Sequence, residues 1–399
     1  MTLNDFKPFF DNTYEEVFQK VLVAKEIANT RFEKTLTFGQ SVQRVAFDIS
    51  AVRVRDVVRG AASTIDAITD TNELLTINLE KESVFFISDG ETKQAGPLNP
   101  GEVIGSEIAI KVAIDLDARV FAEVRNALFD FDNGDLTTTA STGVGITLNS
   151  TTVPQLVSRM GAKLKRKNNQ LVTTNMALVV DAYAASDITQ YLLGKNIDLA
   201  GYTFKNGYTG DVSNAQLYTS ENLTGEATLL SAGTFSDGET VTIGGVVFTA
   251  KTTLGATPGN FLIGANAAAS ITNLTALINT PGTTTAQGVA LSAADQITIG
   301  DVLKLTATAT SATVMTIVGV GSGRLDLAET ATSWSWATNI IHAYYGKKGA
   351  IDLVVMDMKE VDMRQTSDRR GTNVFTSYLA GVKTFADGAK KFLDVIINA

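Results

Sequence analysis

The sequence predicts an α+β fold interrupted by an inserted β-rich domain, and three patterns predict it. Residues 102–128 carry charges of alternating sign at every fourth position, the mark of a long helix with one ion-paired face. Residues 42–88 alternate apolar and polar positions in two runs, the mark of a long β-hairpin. Residues 228–333 shift to Thr, Ala, Gly and Ser with sparse charge and short apolar runs, as a β-rich unit set into a host domain would.

The 399 residues are enough for about two or three domains and a sizeable core. With 44% hydrophobic and 19% charged residues, the composition is that of a globular chain. A formal net charge of −9 and a pI near 4.9 exclude the basic footprint of a nucleic-acid binder. They do not argue against a protein that lies near nucleic acid without gripping it. No cysteine is present, which removes disulfides, thiolate nucleophiles and cysteine metal sites. The start, Met1-Thr2-Leu3-Asn4-Asp5-Phe6, has neither the basic nor the apolar region of a secretory signal, and no run reaches the length of a membrane span. A soluble chain made in a cytoplasm is expected.

Residues 1–41 form an N-terminal arm with a helix expected around Tyr14–Phe32, packed either on its own domain or on a neighbour. In the hairpin, Val45, Phe47 and Ile49 alternate on the outgoing strand and Leu75, Ile77 and Leu79 on the return. A two-stranded ribbon of this length is marginal alone in water, which points to a partner subunit as its cover. In the long helix the ladder is Glu107, Lys111, Asp115, Arg119 and Glu123. The apolar strip is Ile104, Ile108, Val112, Leu116, Val120 and Val124.

Residues 129–152 read as loop. A second helix follows, with Pro154 in its first turn and Val153, Leu156, Val157, Met160 and Leu164 on one face. Next come a buried-type strand, Ala177–Val180, and a short helix from Ser186 as N-cap to Gly194 as the terminating glycine. Within 228–333, strands are expected at Thr240–Ile243, Val246–Ala250, Gln296–Ile299, Val302–Ala307 and Val314–Val318, with one helix at Ala268–Asn279. The host resumes near Trp336 with a helix over 337–346, then strands at Ile351–Met356, Val374–Phe385 and Phe392–Ile397.

Candidate chemistry is sparse. His342 is the only histidine, and Gly321-Ser322-Gly323 lacks the spacing of a nucleophile elbow, so the histidine reads as a packed residue. Asp130, Asp132, Asn133 and Asp135 around Gly134 resemble part of a calcium loop, but the glycine is one place early and Ser141 stands where glutamate is needed; an acidic turn is the simpler reading. The run Lys163–Lys167 reads as cations at a helix C-terminus. No catalytic, cofactor-binding or metal residue is expected, and no cofactor. The residues singled out for intersubunit contact are Arg53, Arg55 and Arg59, near the hairpin tip in a net acidic chain.

The order of these elements resembles the major capsid protein of tailed bacteriophages, the Hong Kong 97-type fold. Two local stretches add to the resemblance. One is Tyr191-Leu192-Leu193 with Gly207-Tyr208-Thr209-Gly210-Asp211-Val212 and Leu217-Tyr218-Thr219-Ser220-Glu221-Asn222-Leu223, which looks like the family's strand-turn-strand. The other is Ile341-His342-Ala343 to Lys348-Gly349-Ala350-Ile351, similar to the helix and strand that follow it. The resemblance implies an N-terminal arm at 1–41 and an extended hairpin loop at 42–88. It implies a peripheral domain with the spine helix at 89–150 and 355–399, an axial domain at 151–227 and 334–354, and the inserted domain at 228–333. It also implies a homo-oligomer of hexamers and pentamers that closes into an icosahedral shell around phage double-stranded DNA. A separate scaffolding protein and a portal are implied, with a decoration protein as an optional partner, and the location is the virion after assembly in the host cytoplasm. With the hairpin beginning near residue 42, no N-terminal scaffolding segment is expected, and the span 50–72 holds no lysine, which speaks against isopeptide cross-links there. The inserted domain is expected to be a self-contained module on an exposed loop tip.

Three other readings fit the sequence less well. A tail tube or baseplate subunit is disfavoured by the ion-paired helix, a bacterial adhesin or surface-layer protein by the missing signal peptide, and an enzyme by the residue inventory.

Overall fold

The computed structural model describes residues 22–32, 41–48, 52–56, 59, 65–66, 68–88, 100–136, 143–168, 174–193, 208–212, 214–356, 362–365 and 370–399. The expectations for residues 1–21, Ile49, Gly194 and Gly207 lie outside them. The fold is α+β, as predicted.

The arm contributes a short helix, α1 (Ala24–Ile27), whose Ala24 and Ile27 are buried in the chain's own core. The ribbon is real: β1 (Ser41–Asp48) runs antiparallel to β2 (Thr69–Thr76), from Ser41↔Thr76 to Asp48↔Thr69. It ends at Thr76, however, short of the expected return through Ser88. Residues Leu79–Ser88 form a separate strand, β3, paired with Gly371–Lys383. The long helix, α2 (Pro100–Ala122), tightens into a 3₁₀ turn at Glu123–Asn126. Its strip Ile108, Val112, Leu116, Val120 and Val124 is buried. The charge ladder is only partly solvated. Glu107 and Lys111 are exposed, whereas Asp115 and Arg119 are half-buried where other parts of the chain pack on them.

The stretch read as loop contains β4 (Phe129–Phe131) and a helical turn, α3 (Asn133–Leu136). Helix α4 (Thr152–Lys167) buries Val153, Leu156, Met160 and Leu164, the predicted face. Strand β5 (Met176–Val180) is buried throughout and leads directly into α5 (Ala182–Leu193). This helix starts four residues before the expected Ser186. Asp181 caps it, its Oδ1 accepting the N–H of Ala184 at 3.3 Å, and Ser186 is an exposed interior residue. Strands β6 (Tyr208–Val212) and β7 (Ala215–Thr219) make the expected strand-turn-strand.

Strand β8 (Thr224–Ser231) enters the Thr-rich region. Strands β9 (Thr240–Ile243) and β10 (Val246–Lys251) are joined by Gly244-Gly245, both with positive φ, as a two-residue hairpin of the primed type demands. β11 (Asn260–Leu262) precedes α6 (Ala267–Asn279), which buries Ile271, Leu274, Leu277 and Ile278. The strand expected at Gln296–Ile299 is instead helical: α7 (Ala293–Ile297) runs on into a π turn, Thr298–Val302. Ser292 starts it, its Oγ accepting the N–H of Asp295 at 3.2 Å and donating to that carboxylate at 2.7 Å. β12 (Leu305–Ser311), β13 (Val314–Gly319) and β14 (Leu327–Glu329) complete the region.

The helix expected over 337–346 is the largest correction. Trp334–Lys347 is one long strand, β15. Its first half pairs with β8 and its last residues with β5 along one edge, while Ile340–Gly346 pair with Phe392–Asn398 (below, β19) along the other. A central strand with both faces covered shows a continuous apolar run, which periodicity cannot separate from a buried helix. The strands β16 (Asp352–Met356), β17 (Asp362–Gln365) and β18 (Gly371–Lys383) form a second sheet with β3. After the turn α8 (Ala386–Ala389), β19 (Phe392–Asn398) does not return to that sheet. It joins β15 and β4 in the nine-stranded sheet, so 129–131 and 392–398 depart from the peripheral grouping expected for them.

One hydrophobic cluster links α1, α2, α4, β5 and β15. A second comprises residues from Ala227 to Trp334. The two share a sheet, because β12, β13 and β8 extend the β15 sheet. The segment 228–333 is therefore not joined through a loop tip: both of its boundaries fall inside or beside strands.

Candidate functional site

The ribbon β1/β2 is held at its base by the chain itself. Arg44 reaches Asp352 at 3.2 Å and Asp387 at 3.0 Å, with its guanidinium 4.7 Å from the Phe385 ring centre. Glu73 accepts the N–H of Ala386 at 2.9 Å, and Lys383 donates to the carbonyl of Leu74 at 2.9 Å. Leu75 and Ile77 are buried with Val354 and Phe385 in a small cluster. The cover expected from a partner is thus supplied at the base by the chain's own C-terminal half.

Toward the tip the cover ends. Val45 is 48% exposed, and Val54 and Ile65 are almost fully exposed. The three singled-out arginines lie here. Arg53 donates its backbone N–H to Asp66 at 2.9 Å, and Arg55 Nη2 reaches the other oxygen of Asp66 at 2.5 Å. The Arg55 hydrogen bond first, then that N–H, hold the Asp66 carboxyl below its usual range. Arg59 is exposed in a turn. The structure therefore brings Arg53 and Arg55 to one acidic pin that fixes the two sides of the loop. Asp66 was not singled out from the sequence, where nothing marks it among the tip residues.

The lone histidine belongs to a different feature. His342, Glu226 and Asp394 stand on β15, β8 and β19. The registers Glu226↔Ile340 and Asp394↔Tyr344 put all three on one face. His342 Nδ1 bonds Asp394 at 2.7 Å, its Nε2 lies 3.6 Å from Glu226, and Glu226 pairs with Arg125 at 2.6 Å. Burial would lower the imidazole pKa, but the bond to Asp394 and the nearby Glu226 carboxylate outweigh it and raise it to about 9. Burial pushes Asp394 up; the neighbouring His342 holds Glu226 down. Asp130 also faces Asp394. The residue is a buried cation between carboxylates, with no nucleophile bonded to it. An unfolded histidine titrates near 6.5, so the stabilisation is full below that pH and is lost as pH rises through about 9. Unfolding midpoints measured from pH 6 to 10 should fall over this window, by a free energy on the order of 3 kcal/mol at most. In His342→Gln the part of that fall above about pH 8 should vanish, the lower part being shared with a buried carboxyl on α2 that titrates near 7.

The acidic turn is hydrogen-bonded into the fold. Asp132 accepts the N–H groups of Gly134, at 2.9 Å, and Gly143, and Lys163 pairs with Asp135 at 2.5 Å. Lys163 and Lys167 also lie over the rings of Phe131 and Phe129, so part of the basic run is committed to its own chain. Ser322 Oγ donates to the Gly319 carbonyl at 3.0 Å within a turn. Among the described residues, no group of three or more histidine, cysteine or acidic side chains is placed to hold a metal. No described helix is long and apolar enough to cross a membrane.

Asp117 has no sequence signal at all. It is buried on α2 and accepts the N–H of Ala24 at 2.8 Å and of Val23 at 3.3 Å, which ties the arm to the long helix of the same chain. Burial pushes its carboxyl up to about 7.

No protein-family model matches the chain, and no curated protein matches it. Solved structures do. The capsid structure of the cyanophage P-SCSP1u is similar over 95% of this chain and 89% of its own, at 12% identity and a TM-score of 0.48. A structure from Mycobacterium phage Che8 is similar over 94% and 91%, at 13% identity and 0.46. The capsid of Ralstonia phage GP4 is similar over 96% and 90%, at 8% identity and 0.44.

Proposed function

We propose that the chain is the major capsid protein of a tailed phage, a shell subunit of the Hong Kong 97 type rather than an enzyme. The observation that carries this is the ribbon β1/β2. It is anchored at its base and bare toward a tip that shows Val52, Val54, Ile65 and Ile68 to solvent. A two-stranded ribbon is marginal in water, and contiguous exposed apolar side chains mark an interaction surface. Copies that each offer such a ribbon to the next make heterologous contacts, which close when the rotation between copies closes. In this reading hexamers and pentamers form the shell, with 1–41 as arm, the ribbon and its tip, 42–76, as clasp, and α2 as the spine. The hydrophobic cluster of its own supports taking 228–333 as an inserted β-rich unit. A scaffolding protein and a portal would be separate chains.

The test is electron microscopy of the purified, assembled protein. Closed icosahedral particles are expected; tubes, sheets or free monomers under assembling conditions would overturn the proposal. Because 50–72 holds no lysine, mature particles boiled in detergent should release a single band near 42.3 kDa. A ladder of heavier species would contradict the absence of cross-links.

A further inference from the structure

A cleft of about 380 Å³ lies between α2, the β3/β18 sheet and the π turn of the Thr-rich region. Lys111, Asp115 and Arg119 line it from α2 at successive turns. Lys81 and Tyr378, directly opposite each other in the β3–β18 register, line it from the sheet, and Lys304 from the far wall. Asp115 is saturated. Lys304 holds one of its oxygens and the Tyr378 hydroxyl the other, and together they outweigh burial and keep its carboxyl below the usual range. Arg119 is left with little. Its Nε is buried without a hydrogen bond and stands 3.9 Å from the already occupied Asp115. Lys81 and Lys111 are exposed, and neither has an ion pair among the described residues. The remaining carboxylates of the lining, Glu82 and Asp301, are exposed and bonded to none of these three cations.

A buried guanidinium N–H without a partner is costly, and a planar fork of donors matches an oxyanion. We infer that the cleft is an oxyanion site in which Arg119, Lys81 and Lys111 receive a phosphate or carboxylate group. Arg119 supplies the oriented donors and the two lysines the charge. The prior commitment of Lys304 to Asp115 keeps that carboxylate from competing. The inference rests on these contacts alone and stands whether or not the chain builds a shell.

The experiment uses the full chain with inorganic phosphate as probe, against sodium chloride at matched ionic strength. Phosphate should raise the melting temperature saturably and broaden its own ³¹P resonance, with a dissociation constant in roughly the millimolar range. The double variant Lys81→Ala/Lys111→Ala, at two exposed positions, should weaken binding by roughly tenfold. Arg119→Lys should weaken it as well, since a point charge does not replace the fork. Citrate then separates the sources. Competition by citrate assigns the site to oxyanions in general, an acidic side chain of a second copy included, whereas binding of phosphate alone assigns it to phosphate groups. Equal melting shifts in chloride and phosphate, or an undiminished response in the double variant, would overturn the inference.

Discussion

Replacing Arg53, Arg55 and Arg59 together with glutamate is expected to abolish shell formation while the isolated subunit stays folded. All three lie beyond the last ladder pair of the ribbon, Asp48↔Thr69, and outside all three hydrophobic clusters, so circular dichroism and melting should not change. A single exposed ion pair contributes little. The same contact repeated between every pair of neighbours, and desolvated against an acidic surface, sets the register of the assembly. The chain carries nine more acidic than basic residues, so such a surface is available on each copy. The bond from Arg55 to Asp66 introduces a competing explanation, that the variant fails because its loop loses shape. Asp66→Ala isolates this: it removes both acceptors of the pin and spares the arginines. Sedimentation after co-expression with the scaffold should show shells for Asp66→Ala and a loss of roughly tenfold or more for the triple variant. Normal shells from the triple variant would mean that the arginines merely keep a strand edge soluble.

The elements that periodicity identifies are those with one face in water; β5, buried throughout, is legible only as a short apolar run. Helix α4 shows its buried face at Val153, Leu156, Met160 and Leu164 because Lys165 and Arg166 stand opposite in solvent. The ribbon declares itself through alternation for the same reason. Where both faces are covered, the pattern fails. From Ile340 to Gly346 every residue of β15 is buried, and the run fits a helix as well as a strand. Its two tyrosines and adjacent isoleucines favour a strand, a signal weaker than periodicity. The missed helix at Ala293 had a usable cue in Ser292 and Asp295, three residues apart, which cap it. The ion pairs that fasten the Thr-rich region had none, because each joins residues more than a hundred positions apart, as Lys304–Asp115 and Arg324–Asp181 do. Composition therefore suggested a module on a tip, whereas the structure welds it into a shared sheet.

Those welds make the second large effect. Arg324→Met is expected to lower stability by about 3–5 kcal/mol, because it strips the cation from a buried carboxylate. The Asp181 side chain is fully buried and receives Arg324 Nε at 2.5 Å; its other oxygen caps α5 through Ala184. Arg324 is mostly covered and stacks 5.1 Å from the Tyr183 ring, so methionine keeps much of the packing while losing the charge. A fall in melting temperature on the order of 10 °C is expected. Asp181→Asn in the same chain should restore more than half of it, since the amide oxygen still accepts the Ala184 N–H and no charge is left behind. An Arg324→Met variant that melts with the wild type would show that water already satisfies Asp181. The same contacts decide what happens when 228–333 is replaced by a short Gly/Ser linker. The cut removes both Arg324 and Lys304, leaving Asp181 without its cation, Asp115 without the closer of its two, and β15 without part of its partner strand β8. The shortened chain should be insoluble or strongly destabilised, and Asp181→Asn should recover part of the loss. A shortened chain that melts and assembles like the full one would return the region to the status of a removable module.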